Sequence, residues 1–140
     1  SSVEIVLSQL LVRKLCSGKE RYRPREEELA RLAEKADMDK VLTVLKEENV
    51  IGANDDWRNV YFYREKATPE CEDGFSGRIG IHEVLHLSRA IKELIIRGVS
   101  GDDIEAQARK EGMMTMIEDG SYQVATGITT IEEVLRVVSE

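Results

Sequence analysis

The chain has 140 residues, of which 41% are hydrophobic and 34% are charged, and its formal net charge is −7. This length suits one compact domain or two small subdomains. The acidity argues against a general nucleic-acid or anionic-membrane surface, because both require clustered Lys and Arg. No stretch approaches the roughly 20 apolar residues of a membrane-spanning helix, and two cysteines fit a reducing cytosol better than a disulfide scaffold.

The first third of the chain has the pattern of three helices. We predict the first over residues 3–15, where apolar side chains recur at helical spacing: Val3, Val6, Leu7, Leu10 and Leu11. Gly18 and Pro24 break this pattern. A charged helix is predicted over residues 25–36, and a third over residues 38–48 with Asp37 as its N-cap.

The centre of the chain favours strands. Asn, Gly and Asp at residues 49–56 indicate a turn, and the run Val60, Tyr61, Phe62 and Tyr63 is the densest strand-forming stretch. After a second turn, "GRIGIHEVLHL" predicts a short strand that enters a helix. We therefore predict a small two- or three-stranded hairpin within residues 57–85.

The last third of the chain is helical by pattern. We predict a helix before Gly98, a second from Ser100 to about residue 111, a third over residues 113–125, and a last one that begins at Thr130. Ser100 with Asp103 and Thr130 with Glu133 have the capping-box spacing. The predicted class is mainly α with a small β-hairpin, that is, α+β.

No motif in the sequence predicts catalysis. There is no P-loop, dinucleotide fingerprint, metalloprotease helix or nucleophile elbow, and "GFSGRIG" lacks the Lys–Ser/Thr that a nucleotide loop needs. His82 and Glu83 are neighbours in a predicted strand, so they point to opposite faces. His86 follows His82 by four, which would align two metal ligands on a helix, but that segment begins as a strand.

Six segments, read in order, resemble a known family: "SQLLVRKLC", "RYRPREEEL", "CEDGFSGRIGIHEVL", "IKELIIRG", "EGMMTMIEDG" and "GITTIEEVLRVV". They are similar to the C-terminal end of the ATPases that power type II secretion and type IV pilus assembly. The resemblance implies a motor whose nucleotide-binding core precedes this chain, with residues 1–15 as the last helix of that RecA-like core. Residues 16–86 would form a middle subdomain and residues 87–140 a C-terminal helical subdomain.

The same resemblance implies the surroundings of the protein. The chain itself would bind no cofactor and hydrolyse no ATP, since ATP and Mg²⁺ belong to the preceding core. Its partners would be neighbouring protomers of a homo-hexamer and the inner-membrane platform or other secretion and pilus machinery, with no nucleic acid and no membrane insertion. The assembly would be cytoplasmic, at the inner face of the bacterial inner membrane.

Many members of this family hold zinc in the middle subdomain through two Cys-x-x-Cys pairs. Here each pair is half missing, because only Cys16 and Cys71 remain, and Thr68 stands where a partner cysteine is expected. Two thiolates are a poor zinc site unless Glu70, Asp73, His82 or a neighbouring chain adds ligands. We expect a degenerate site without metal, with the two cysteines close together and the region held by its aromatic residues, Trp57, Tyr61, Phe62, Tyr63 and Phe75.

The glycine-rich stretch then has a structural interpretation. Gly74 and Gly77 permit the turn, and Phe75 caps the hairpin. Arg78 is expected to anchor the turn to a carbonyl or to a carboxylate such as Glu83, the alternative being a contact with a neighbouring protomer.

Gln9 and Arg13 match family positions near the end of the core, where packing and interface contact are the two alternatives. The rival hypothesis for the whole chain is a stand-alone, non-enzymatic protein-binding module with a degenerate zinc ribbon.

Overall fold

The computed structural model describes residues 5–139 and confirms the α+β class. Within that range the chain forms four strands, six α-helices and one short 3₁₀ turn at Trp57–Asn59. The strands are β1 (Ile5–Leu15), β2 (Glu20–Tyr22), β3 (Phe62–Arg64) and β4 (Phe75–His86). The helices are α1 (Glu26–Ala33), α2 (Met38–Glu47), α3 (Arg89–Ile96), α4 (Gly101–Lys110), α5 (Met116–Ala125) and α6 (Ile131–Val138).

The N-terminal segment is a strand, so the helix predicted over residues 3–15 is wrong where the structure describes it; Val3 lies outside the described residues. β1 pairs antiparallel with β4, from Ile5 opposite His86 to Leu15 opposite Phe75, and we call this pair the β1–β4 ribbon. A short run of apolar residues fits a helix and a strand equally well. Residues 5–15 form a strand because β4, which is distant in sequence, supplies their backbone hydrogen bonds.

The predicted hairpin within residues 57–85 is also wrong in its pairing. Both strands exist, but β3 pairs antiparallel with β2, with Tyr22 opposite Phe62, while β4 pairs with β1. β4 remains extended through His86 instead of entering a helix. The chain therefore leaves the ribbon after β1, builds β2, α1, α2 and β3, and returns to the ribbon at β4.

The predicted helices after Pro24 are confirmed, with their caps. Asp37, Ser100 and Thr130 each accept a hydrogen bond from the backbone N–H three residues later. The helix predicted from residue 113 begins at Met116, because Thr115 is its N-cap. None of the helices described combines the length and the apolar character that a membrane crossing needs.

One apolar core joins the ribbon, the β2–β3 sheet and most of the helices. Of the aromatic residues expected to hold the middle region, Phe62 is fully buried, whereas Tyr61, Tyr63, Trp57 and Phe75 are partly exposed. The core contains side chains on both sides of the predicted boundary at residue 86: Val12, Leu32, Val41, Leu45, Val60, Phe62, Ile81, Ile117, Val124, Ala125, Ile131, Val134, Leu135 and Val137.

Candidate functional site: the β1–β4 ribbon and its anchors

Among the described residues, three glutamates are buried at the third position of a helix: Glu28 in α1, Glu118 in α5 and Glu133 in α6. In α1 and α5 the carboxylate accepts a hydrogen bond from the backbone N–H of its own N-cap residue, at 3.0 and 2.9 Å. That is the reciprocal half of a capping box. In α6 only the other bond of a capping box forms, in which the Thr130 hydroxyl accepts from the Glu133 backbone N–H at 3.1 Å. The Glu133 carboxylate reaches a different element, β1.

Arg13 of β1 is the partner of Glu133. The Arg13 backbone N–H donates to Glu133 Oε1 at 2.8 Å, and Arg13 Nε and Nη2 donate to Oε2 at 3.2 and 3.0 Å. Arg136 Nη2 also donates to Oε1, at 3.0 Å. The Glu133 side chain is 4% exposed and that of Arg13 is 47% exposed. A buried carboxylate thus joins the strand to the last helix through two charged partners and one backbone donor.

The loop between α5 and α6 holds the same end of β1. Thr129 Oγ1 donates to the Arg13 carbonyl at 2.7 Å, and the Leu15 N–H donates to the Ile128 carbonyl at 2.8 Å. Together with Glu133, these bonds occupy the outer edge of β1 at the point where its pairing with β4 becomes irregular, between Arg13 and Leu15. For Arg13, packing is therefore the role that the structure supports.

Both members of the pair are charged at neutral pH. Burial raises the pKa of Glu133, but hydrogen bonds from Arg13 and Arg136 outweigh burial and hold the pKa below its ordinary value of 4.5. The hydrogen bond to Glu133 raises the pKa of Arg13. This ion pair is a structural link, and its strength depends on the Glu133 carboxylate remaining ionised.

The glycine turn before β4 forms as predicted. Gly74 has φ +84° and is buried, and Gly77 has φ +74° in open surroundings. Both values lie in the left-handed region that favours glycine. Phe75 lies opposite Leu15, and the Arg13 guanidinium lies 4.1 Å from the centroid of the Phe75 ring. Phe75 therefore packs against Arg13, a contact that the sequence did not predict.

The predicted anchor role of Arg78 is wrong. Arg78 is exposed opposite Arg13, and within residues 5–139 its side chain makes no hydrogen bond or ion pair. Glu83 instead accepts a hydrogen bond from the Met116 N–H at 2.9 Å, at the start of α5. The guanidinium that anchors the ribbon is that of Arg13, and the alternative role of Arg78 in a contact between protomers stays a prediction.

The two cysteines are joined in a disulfide, with their Cα atoms 6.7 Å apart. The expected proximity of Cys16 and Cys71 is confirmed, and the expectation of free thiols is wrong. Their sulfurs are not thiolates, and among the described residues no group of three or more His, Cys, Asp or Glu side chains could hold a metal. The bond closes the chain where it leaves the ribbon and where it returns.

His82 and Gln9 face each other across the ribbon, with His82 Nε2 2.8 Å from Gln9 Oε1. The backbone N–H of His82 donates to Asp119 Oδ2 of α5, at 2.7 Å. Burial raises the pKa of Asp119, against the lowering effect of that hydrogen bond. His86 lies four residues further along an extended strand, about 13 Å away, so the two histidines do not form a metal-binding pair.

A cavity of about 550 Å³ lies beside this cluster, lined by the two histidines, Asp119, Glu111, and apolar residues of β4 and of the α4–α5 region. Sequence reasoning missed Asp119 and the role of Glu133. A usable signal exists for Glu133: it lies between Ile131 and Val134 on the apolar face of α6, where an unpaired carboxylate would be costly.

Comparison with known proteins gives consistent matches. The family described as Type II/IV secretion system protein matches residues 1–136. The type IV pilus assembly ATPase PilB of Thermus thermophilus is 37% identical over 132 residues, which cover 93% of this chain and 13% of that protein. The type II secretion system protein E of Xanthomonas campestris is 35% identical over 141 residues, covering 100% of this chain and 22% of that protein.

A third relative, the type II secretion system ATPase E of Vibrio cholerae, is 33% identical over 142 residues, covering 100% of this chain and 24% of that protein. The chain therefore spans between 13% and 24% of the length of these three relatives.

Proposed function

Because the chain belongs to the type II/IV secretion system protein family, we propose that it is the C-terminal part of a motor ATPase that powers type II secretion or type IV pilus assembly. The support is the family match over residues 1–136 and the names of the relatives, two of which are called ATPases. In this proposal ATP and Mg²⁺ bind to a preceding part of the longer protein. The present chain supplies packing, assembly and docking surfaces.

The observation that carries this proposal is the exposure of apolar side chains along β1 from Ile5 to Leu11. Ile5, Val6 and Leu7 are 55%, 48% and 59% exposed, and Leu10 and Leu11 are 39% and 44% exposed. Successive side chains in a strand point to opposite faces, so this part of the ribbon is apolar and uncovered on both sides. Such a surface favours burial against more protein, at roughly 25 cal/mol per Å² of apolar area.

A second exposed apolar site lies at the end of α3, where Ile95 and Ile96 are 48% and 84% exposed. In the proposed assembly, the ribbon packs on the preceding core, and the α3 end contributes to contacts between protomers of a homo-hexamer. The hexamer works in the cytoplasm at the inner membrane, where it meets the membrane platform of the secretion or pilus machinery.

The test places a charge on the apolar part of the ribbon in the longer protein. Leu7→Asp is expected to lower both ATP hydrolysis and hexamer formation, because Leu7 would lie in the buried contact. Ser8→Asp is the matched control, since Ser8 is exposed and polar on the same strand. If Leu7→Asp leaves assembly and hydrolysis at the level of the unmodified longer protein, the ribbon does not dock on the motor core and the rival binding module gains support.

A further inference from the structure

The β2–β3 sheet carries a row of cations stacked on tyrosine rings. Arg21 Cζ and Arg23 Cζ lie 4.4 and 3.8 Å from the centroid of the Tyr61 ring, and Lys19 Nζ lies 5.3 Å from that of Tyr63. Lys19, Arg21 and Arg23 alternate along an extended segment, so their side chains leave it on one face. We call these five residues, Lys19, Arg21, Arg23, Tyr61 and Tyr63, the basic ladder.

Ring stacking holds the two arginines, and Lys19 Nζ also donates to the Gly127 carbonyl at 2.6 Å. Neither contact compensates the charge of Arg21 and Arg23. Within residues 5–139, Arg21 forms no ion pair, and Arg23 donates only to the Val60 carbonyl, at 3.3 Å. Both side chains are exposed, and both guanidinium groups lie on the same Tyr61 ring. Two like charges held against one ring repel each other, and carboxylates bound at their exposed N–H edges would relieve the repulsion.

The spacing of the basic ladder fits an extended polypeptide. Three cations at every second residue recur at about 6.6 Å and span about 13 Å. Carboxylates at alternate positions of an extended segment have the same repeat. A guanidinium that lies flat on a ring keeps its N–H edge free for a two-pronged contact with a carboxylate. At the Arg23 end, a recess of about 270 Å³ lined by Arg23, Pro24, Trp57 and Arg58 offers room for one further side chain.

Other anions fit this surface less well. Single-stranded nucleic acid is held largely by bases that stack on open aromatic rings, whereas the Tyr61 and Tyr63 rings are already covered by the chain's own cations. A membrane or a long polyanion meets the whole protein, whose net charge of −7 repels it. A short acidic segment meets only the locally positive surface.

We propose that the basic ladder binds an acidic, extended segment of a partner protein. The proposal concerns a surface of the middle region and does not depend on the motor assignment. Its affinity comes from guanidinium–carboxylate contacts at Arg21 and Arg23, so it weakens as salt increases.

The test uses the 140-residue chain and a fluorescein-labelled ten-residue peptide of alternating Glu and Thr, with binding followed by fluorescence anisotropy at low salt. The double variant Arg21→Gln/Arg23→Gln is expected to weaken binding about tenfold, from the loss of two exposed charge-assisted contacts. The matched control, Arg31→Gln/Arg97→Gln, changes the net charge equally at two exposed arginines of other elements and is expected to weaken binding less than twofold.

A second variant, Arg21→Lys/Arg23→Lys, keeps both charges but removes the planar fork, and it is expected to lose about threefold. If Arg21→Gln/Arg23→Gln lowers the melting temperature, the lysine variant replaces it as the test of binding. Equal losses in the ladder and control variants overturn the proposal, as does a failure of the unmodified chain to bind the peptide. Tighter ladder-dependent binding of a ten-residue oligothymidine, or of vesicles with 30% phosphatidylglycerol, shows that the partner class is wrong.

Discussion

Breaking the Arg13–Glu133 pair tests whether α6 fixes the end of β1. The perturbation consists of Arg13→Gln, Glu133→Gln and the double variant. Glutamine has the size of glutamate without its charge, and at position 13 it is a shorter polar side chain that removes the guanidinium. In Glu133→Gln the side-chain oxygen can still accept from the Arg13 N–H, which donates at 2.8 Å. What is lost is the ionic part of the contacts with the guanidinium groups of Arg13 and Arg136.

The expected cost follows from burial. A hydrogen bond to a charged group contributes about 1.5–3 kcal/mol, and the 4% exposed Glu133 carboxylate favours the upper part of that range. The 47% exposure of Arg13 reduces the value, because solvent screens the cation. We expect each single variant to lower the free energy of unfolding by about 2 kcal/mol. For Arg13→Gln this includes about 0.5–1 kcal/mol from the contact with Phe75.

The assay is urea denaturation of the 140-residue chain, followed by circular dichroism at 222 nm and analysed as a double-mutant cycle. The cycle is expected to give a coupling free energy of about 1–2 kcal/mol between the two sites. Arg78→Gln is the control, since the Arg78 side chain lies opposite Arg13 without a hydrogen bond, and its effect should stay within about 0.5 kcal/mol. A coupling energy below about 0.3 kcal/mol would refute the assignment of Arg13 and Glu133 as the anchor.

Three further predictions use the same denaturation assay. Gly74→Ala should lower the free energy of unfolding by about 3 kcal/mol and Gly77→Ala by about 1 kcal/mol. Both residues have positive φ, but only at Gly74 would a Cβ come within 2.7 Å of another side chain. Equal losses in the two variants would contradict this. Reducing the Cys16–Cys71 bond, or the variant Cys16→Ser/Cys71→Ser, should lower the free energy of unfolding by up to about 4 kcal/mol, because the bond closes a loop with a separation of 55 residues. An unchanged urea midpoint would count against the bond. Burial raises the pKa of Asp119 above 3.8. The contribution of Asp119 to the free energy of unfolding is therefore complete below pH 3.8 and is lost as pH rises through the folded-state pKa. Asp119→Asn should remove this loss of stability, and an unchanged pH profile would show that another group causes it.

The helices were predictable because their signals are local. Asp37, Ser100 and Thr130 precede apolar faces by the spacing that capping requires, and each cap forms in the structure. The strands β3 and β4 were also visible from their β-branched and aromatic residues. Their existence depends on composition over a few residues, which a single sequence shows.

The pairing of the strands was not predictable in the same way. Residues 5–15 have an apolar pattern that suits both a helix and a strand, and the choice depends on β4, which begins only at Phe75. The anchor was hidden for a related reason. Thr130 and Glu133 have the spacing of a capping box, but a backbone donor and a guanidinium of Arg13 compete for the carboxylate and bind it.

The candidate site was predicted in part. Gly74 and Gly77 adopt the positive φ angles that their turn requires, and Cys16 lies next to Cys71 as expected. The partners of Arg78 and Glu83 were not predicted, since a side chain's partner depends on which elements pack together. Gln9 lies opposite His82 only because β1 is a strand in this register.

A deletion experiment decides whether this chain is part of a motor: ATP hydrolysis and assembly mass are measured for the longer protein proposed to contain it, with and without the present chain. If the proposed function is right, the intact protein forms hexamers and hydrolyses ATP, and removing this chain abolishes hexamer formation and strongly lowers hydrolysis. A truncated protein that assembles and hydrolyses ATP as well as the intact one would contradict the proposed function.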